Sequence, residues 1–154
     1  MTIIFNIMNR IIIFSALLLI SLSGYSQENL AQWRGPLRNG IYPDTNLKTK
    51  WPETGLPVVM KIEGIGKGWS SAVVLNQVIY VSGIKDTVEI VSAFDMNGIR
   101  LWEKEYGFAW NASYPDSRNT PTLEGNRLYI SSGMGEVVCL DAMRGDIIWK
   151  KDVH

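Results

Sequence analysis

Ala93-Phe-Asp-Met-Asn-Gly-Ile-Arg-Leu-Trp102 and Cys139-Leu-Asp-Ala-Met-Arg-Gly-Asp-Ile-Ile-Trp149 are two copies of one element. Each carries an Asp, then a Gly, then a Trp four residues beyond the Gly. The second copy has one residue inserted before its Gly, and the two Trp stand 47 residues apart. Working outward, Val78-Ile-Tyr-Val-Ser82 lies over Arg127-Leu-Tyr-Ile-Ser131 once Tyr80 is set on Tyr129. Ser71-Ala-Val-Val then falls on Thr120-Pro-Thr-Leu, and Asn76-Gln77 on Gly125-Asn126. A worn third copy of the last strand, Gly55-Leu-Pro-Val-Val-Met-Lys61, precedes both, with Met60 where the Trp belongs.

The repeat is made of strands. Short alternating runs occupy Val58–Ile62, Ser71–Leu75, Val78–Ser82, Val88–Phe94, Arg100–Tyr106, Thr120–Glu124, Arg127–Ser131, Glu136–Asp141 and Asp146–Asp152. Turn pairs separate them, and no stretch sustains the i, i+3, i+4, i+7 spacing of a long amphipathic helix. A period of 40–50 residues with four strands marks a β-propeller blade. One blade is apolar on both faces and cannot bury both alone, so blades stack. In the Asp-to-Gly turn the carboxylate can accept backbone N–H groups while Gly takes a positive φ. The Trp offers a broad surface to the next blade. The expected fold is all-β: a partial propeller of about two four-stranded antiparallel blades, near 71–106 and 119–153, plus a leading strand.

Composition narrows the chemistry. The 154 residues hold 15 Lys+Arg against 15 Asp+Glu, which removes the basic excess of a nucleic-acid binder. Apolar residues at 46% and charged residues at 19% describe a globular chain rather than a disordered one. A lone Cys139 excludes an internal disulfide and multi-cysteine metal sites, and a lone terminal His154 excludes His-based triads and clusters. Cys139 itself reads as a buried strand thiol. Residues 1–26 read as a signal peptide, with Asn9-Arg10, the apolar run Ile11–Ile20, and small residues Gly24 and Ser26 before Gln27. The run is short for a membrane span, and no Cys stands near the cleavage point, so a lipoprotein is not expected. The exported chain would then be periplasmic or extracellular, with an extended N-terminal segment at 27–57.

The Ala/Cys-x-Asp-x-x-x-Gly-x-x-x-Trp element resembles the repeat of the pyrroloquinoline-quinone-type (PQQ-like) propellers. That group spans quinoprotein alcohol dehydrogenases and the outer-membrane assembly factor BamB. Gln32-Trp-Arg-Gly-Pro36, Asn39-Gly40, Trp51-Pro-Glu-Thr-Gly55 and Gly64-Ile-Gly-Lys-Gly-Trp-Ser-Ser71 are similar to the start of the BamB-like exported branch. The resemblance places PQQ-like repeats over 58–154, with Asp95, Gly98, Trp102, Asp141, Gly145 and Trp149 as their structural residues. It implies a ring of about seven or eight blades, so the chain reads as an N-terminal fragment that needs the remaining blades for closure. It also implies that a quinone site would need a calcium ion with Glu, Asn and Asp ligands and adjacent cysteines. The chain shows no such set, and its carboxylates are scattered over turns. No catalytic, cofactor or metal residue is therefore expected, and PQQ with calcium enters only if the chain is part of a quinoprotein dehydrogenase whose site lies on absent blades. The favoured reading is a non-catalytic exported scaffold that binds protein or glycan.

Gly64-Ile-Gly-Lys-Gly-Trp-Ser70 lacks the spacing of a phosphate loop, and no helical pattern follows it. The candidate binding residues are Lys67, Trp69, Arg118 and Asn119. The repeat overlays Trp69 on Arg118 and Ser70 on Asn119, in the loops entering the innermost strands, which converge about the axis of a propeller.

Overall fold

The computed structural model describes residues 30–153. The predicted leader at 1–26 lies outside them. Nine strands form, and no helix occurs among the described residues. The first blade is β2 (Val73–Leu75), β3 (Val78–Lys85), β4 (Val88–Asp95) and β5 (Arg100–Phe108), antiparallel and in that spatial order. The second is β6 (Thr122–Glu124), β7 (Arg127–Ser131), β8 (Glu136–Asp141) and β9 (Ile147–Asp152). A two-residue strand, β1 (Leu30–Ala31), adds antiparallel to the free edge of β6. The two four-stranded antiparallel blades are borne out, whereas β1 is not the leading strand expected at Val58–Ile62.

Local chemistry explains the turns. Asn76 and Gln77 both take positive φ, 51° and 62°, as a two-residue primed hairpin turn requires between right-twisted strands. Asp95 accepts the N–H groups of Asn97 (2.9 Å) and Ile99 (2.8 Å), and Asp141 those of Met143 and Arg144 (both 3.0 Å). Gly98 and Gly145 sit at φ 80° and 74°, where a β-carbon would be strained. The ladder shifts register between Ala93 and Phe94 and again between Cys139 and Leu140. The bulge is thus part of the repeat.

The blades meet through complementary faces. Val73, Tyr80, Val91 and Ala93 of the first pack against Leu123, Leu128, Ile130 and Leu140 of the second. Fully burying each large aliphatic contributes ~1.5–3 kcal/mol. Trp102 closes this core. Its Nε1–H donates to the Ala142 carbonyl at 3.1 Å, and its ring lies so close over Gly145 that a β-carbon there would stand 2.6 Å from Cε3. Tyr80 and Trp102 meet at 6.0 Å between centroids, and Tyr129 and Trp149 repeat the contact at 6.2 Å. Cys139 is fully buried in its strand.

One predicted strand does not form. Val58–Ile62 pairs with no neighbour, because the described chain before it supplies no three strands of a sheet for it to complete. Its side chains nevertheless occupy their repeat positions. A β-carbon on Gly98 would meet Met60 Sδ at 3.3 Å, so Met60 covers Gly98 as Trp102 covers Gly145. Ile62 and Ile65 pack on Ile79, Val81 and Phe94, and Arg100 reaches over Phe94 to donate to the Gly64 carbonyl at 2.8 Å. The segment caps the outer face of the first blade without joining its sheet.

Candidate functional site

The loops entering β2 and β6 come together at one end of the two blades. Lys67 forms an antiparallel bridge to Ile84, Gly68 a parallel one to Ser117, and the Trp69 N–H donates to the Ser117 carbonyl at 2.7 Å. The Ser71 N–H donates to Thr120 Oγ1 at 3.0 Å. The overlay of Ser70 on Asn119 has a physical basis. Ser70 Oγ donates to the Ser82 carbonyl at 2.9 Å, and Asn119 Nδ2 donates to the equivalent Ser131 carbonyl at 2.5 Å. The Asn119 amide therefore holds its own loop.

Of the four candidate residues, Arg118 and Asn119 line a cleft of ≈ 240 Å³, together with Trp110, Tyr114 and Asp116 on the same loop. Glu89 and Gly133 complete its lining. Lys67 and Trp69 do not line it. Trp69 is 77% exposed and is tied to the second loop through its backbone. The Arg118 guanidinium stacks 5.4 Å from the Tyr114 ring centroid and donates to the Tyr114 carbonyl at 2.6 Å.

Two buried carboxylates staple the blades at this junction. Glu89, at the start of β4, accepts the Tyr106 hydroxyl at 2.5 Å, the Ser117 hydroxyl at 2.9 Å and the Gly133 N–H of the second blade at 2.6 Å. No cation pairs with it among the described residues. Glu136, in the second blade, reciprocates. It accepts the Phe108 N–H of the first blade at 3.0 Å, Lys150 Nζ at 2.9 Å and the Ser132 hydroxyl. Burial pushes the Glu136 carboxyl up, but the Ser132, Lys150 and Phe108 donors outweigh it and hold the group below its ordinary value.

The Tyr106 hydroxyl is pushed well above its ordinary value near 10, first by burial and then by the negative charge of Glu89. An unfolded tyrosine releases its proton near that pH, whereas folded Tyr106 keeps it. The contribution is therefore whole below pH 10 and is lost as pH rises beyond it. Tyr106→Phe is expected to flatten the alkaline side of a stability-versus-pH curve from urea melts. An alkaline side as steep as in the unsubstituted chain would show that Tyr106 is not responsible.

Glu89, Trp110 and Tyr114 were missed in the sequence. Glu89 reads as one more polar residue at a strand end, and the loop from Ala109 to Pro121 has no periodicity. Its aromatic and charged content was the available signal. The quinone arrangement implied by the resemblance finds no match in the residues present. No three of His, Cys, Asp and Glu gather into a metal-holding group among the described residues, and Cys139 has no cysteine neighbour.

Two repeats stacked through a Trp on a Gly, with loops gathered at one end, define a protein of β-propeller type. The family model for outer membrane protein assembly factor BamB, a PQQ-like repeat model, matches residues 69–154, more than half of the chain, and the chain belongs to that family. No curated protein matches it.

Proposed function

We propose that the chain is an exported, non-catalytic scaffold whose propeller binds a partner at the loop end of its blades. The observation that carries this reading is how the junction uses its ionisable groups. Glu89 and Glu136 are fully engaged in holding loops and blades together, while Trp69 and Arg118 are displayed outward. The other carboxylate of the cleft, Asp116, has no free acid or base partner there, since Glu89 is already taken by three donors. The half-exposed Trp149, on the far face of the second blade, is read as the seat of a further blade of the same propeller, which supports the expectation that more blades complete the ring. Export rests on the N-terminal leader pattern and on the BamB family.

The test uses the tagged full-length chain. It should fractionate outside the cytoplasm and retain a partner from that compartment. Trp69→Ala and Arg118→Ala should each weaken retention of the purified partner by ~2 kcal/mol or more while leaving the melting temperature unchanged. Retention unchanged in both variants overturns the loop site. Dye reduction that depends on added quinone and is abolished by chelating calcium overturns the non-catalytic reading.

A further inference from the structure

We infer that the cleft between the blades is a subsite for one neutral sugar ring of a glycan. The inference rests on the loop end being the binding face. At ≈ 240 Å³ the cleft falls just below the usual range of ligand-binding clefts, about 300–1,000 Å³, and has room for a single small unit. The aromatic residues of its lining are Trp110, 46% exposed, and Tyr114, one face of whose ring carries the Arg118 guanidinium. An aromatic face of this kind packs on the C–H side of a pyranose, which is apolar there and rimmed by hydroxyls.

The polar groups decide the charge of the occupant. Asp116 brings an unengaged carboxylate to the cleft and Arg118 a guanidinium, while the Glu89 carboxylate in its wall adds negative charge with its oxygens already taken by three donors. A cation would face Arg118, and an anion would face both carboxylates. A neutral polyol suffers neither repulsion, and each of its hydroxyls can both donate to a carboxylate and accept from a guanidinium. Asp116 is suited to this because no hydrogen bond or ion pair engages its carboxylate among the described residues. Arg118 is held in place by its stack on Tyr114, which fixes the direction of its remaining N–H groups.

The cleft is also built rather than incidental. A β-carbon on Gly133 would stand 2.8 Å from both the backbone N and the Cβ of Trp110, so only Gly lets the second blade seat that residue. Tyr114 and Asp116 hold positive φ, 43° and 91°, which is unusual for a bulky residue such as Tyr. Such strained positions recur at ligand clamps.

The experiment titrates the purified full-length chain with maltotriose, chitotriose and mannotriose. Trp fluorescence and saturation-transfer NMR give the readout, and trilysine and succinate serve as charged comparators, with triglycine as the zwitterionic one. At least one saccharide is expected to bind saturably, with affinity reduced tenfold or more by Trp110→Ala and by Asp116→Asn. Should Trp110→Ala fail to fold, Asp116→Asn alone decides. No saccharide binding overturns the inference, as does binding that survives Asp116→Asn, or saturable binding of a charged comparator in place of the saccharides. A chain that retains a protein partner through Trp69 and Arg118 but takes no saccharide leaves the scaffold reading standing and removes only the sugar subsite.

Discussion

Replacing Trp102 by Ala should lower the stability of the chain by about 3 kcal/mol or more, the cost typical of deleting a large aromatic from a core. The ring covers Gly145 of the neighbouring blade, touches Tyr80 of its own, and donates to the Ala142 carbonyl. The substitution therefore opens a void between blades and strands a buried acceptor. Urea denaturation followed by circular dichroism measures it. Trp149→Ala is the internal comparison. Its ring repeats the tyrosine contact but is 38% exposed, so its loss should cost about 1 kcal/mol. Equal losses at the two positions would mean that each Trp acts only within its own sheet, and the stacking role would be wrong.

A loss of similar size is expected for Glu89→Ala. The carboxylate is 2% exposed and receives three donors, from Tyr106, Ser117 and Gly133. Removing it leaves the Tyr106 hydroxyl and the Gly133 N–H unpaired, at ~1–3 kcal/mol for each group that stays buried, while Ser117 keeps Ser82 Oγ at 3.2 Å. Relaxation of the loop will recover part of this, so a net loss of about 3 kcal/mol is the expected figure. Because the donors belong to both blades, the loop carrying Trp110 and Arg118 should also loosen, seen as faster proteolysis between Ala109 and Pro121. Ser117→Ala removes one donor and leaves the carboxylate two, so it should cost about 1 kcal/mol. A Glu89→Ala chain within 0.5 kcal/mol of the unsubstituted one would contradict the staple.

The sequence made the blades legible almost strand for strand. Arg127–Ser131 and Glu136–Asp141 occur as read, and β5 merely runs on to Phe108. The reason is that period-two alternation and turn residues are local signals, and the repeat states them twice. Val58–Ile62 misled because alternation reports a face to be covered and not a strand that will be paired. Met60 and Ile62 do cover that face. At the loop end, Arg118 and Asn119 were legible through the repeat, but Glu89, Trp110 and Gly133 were not. They meet only because two sheets stack, and no spacing along the chain records that distance.

The first blade hands Trp102 forward onto Gly145 of the second and receives Met60 on its own Gly98. The contact runs in one direction along the chain at both steps, a Met thioether at the first and an indole at the second. Duplication or deletion of a whole 47-residue unit between equivalent positions leaves every joint chemically intact. A break at another phase would separate Trp102 from Gly145, so the joint between blades constrains where a unit can be cut.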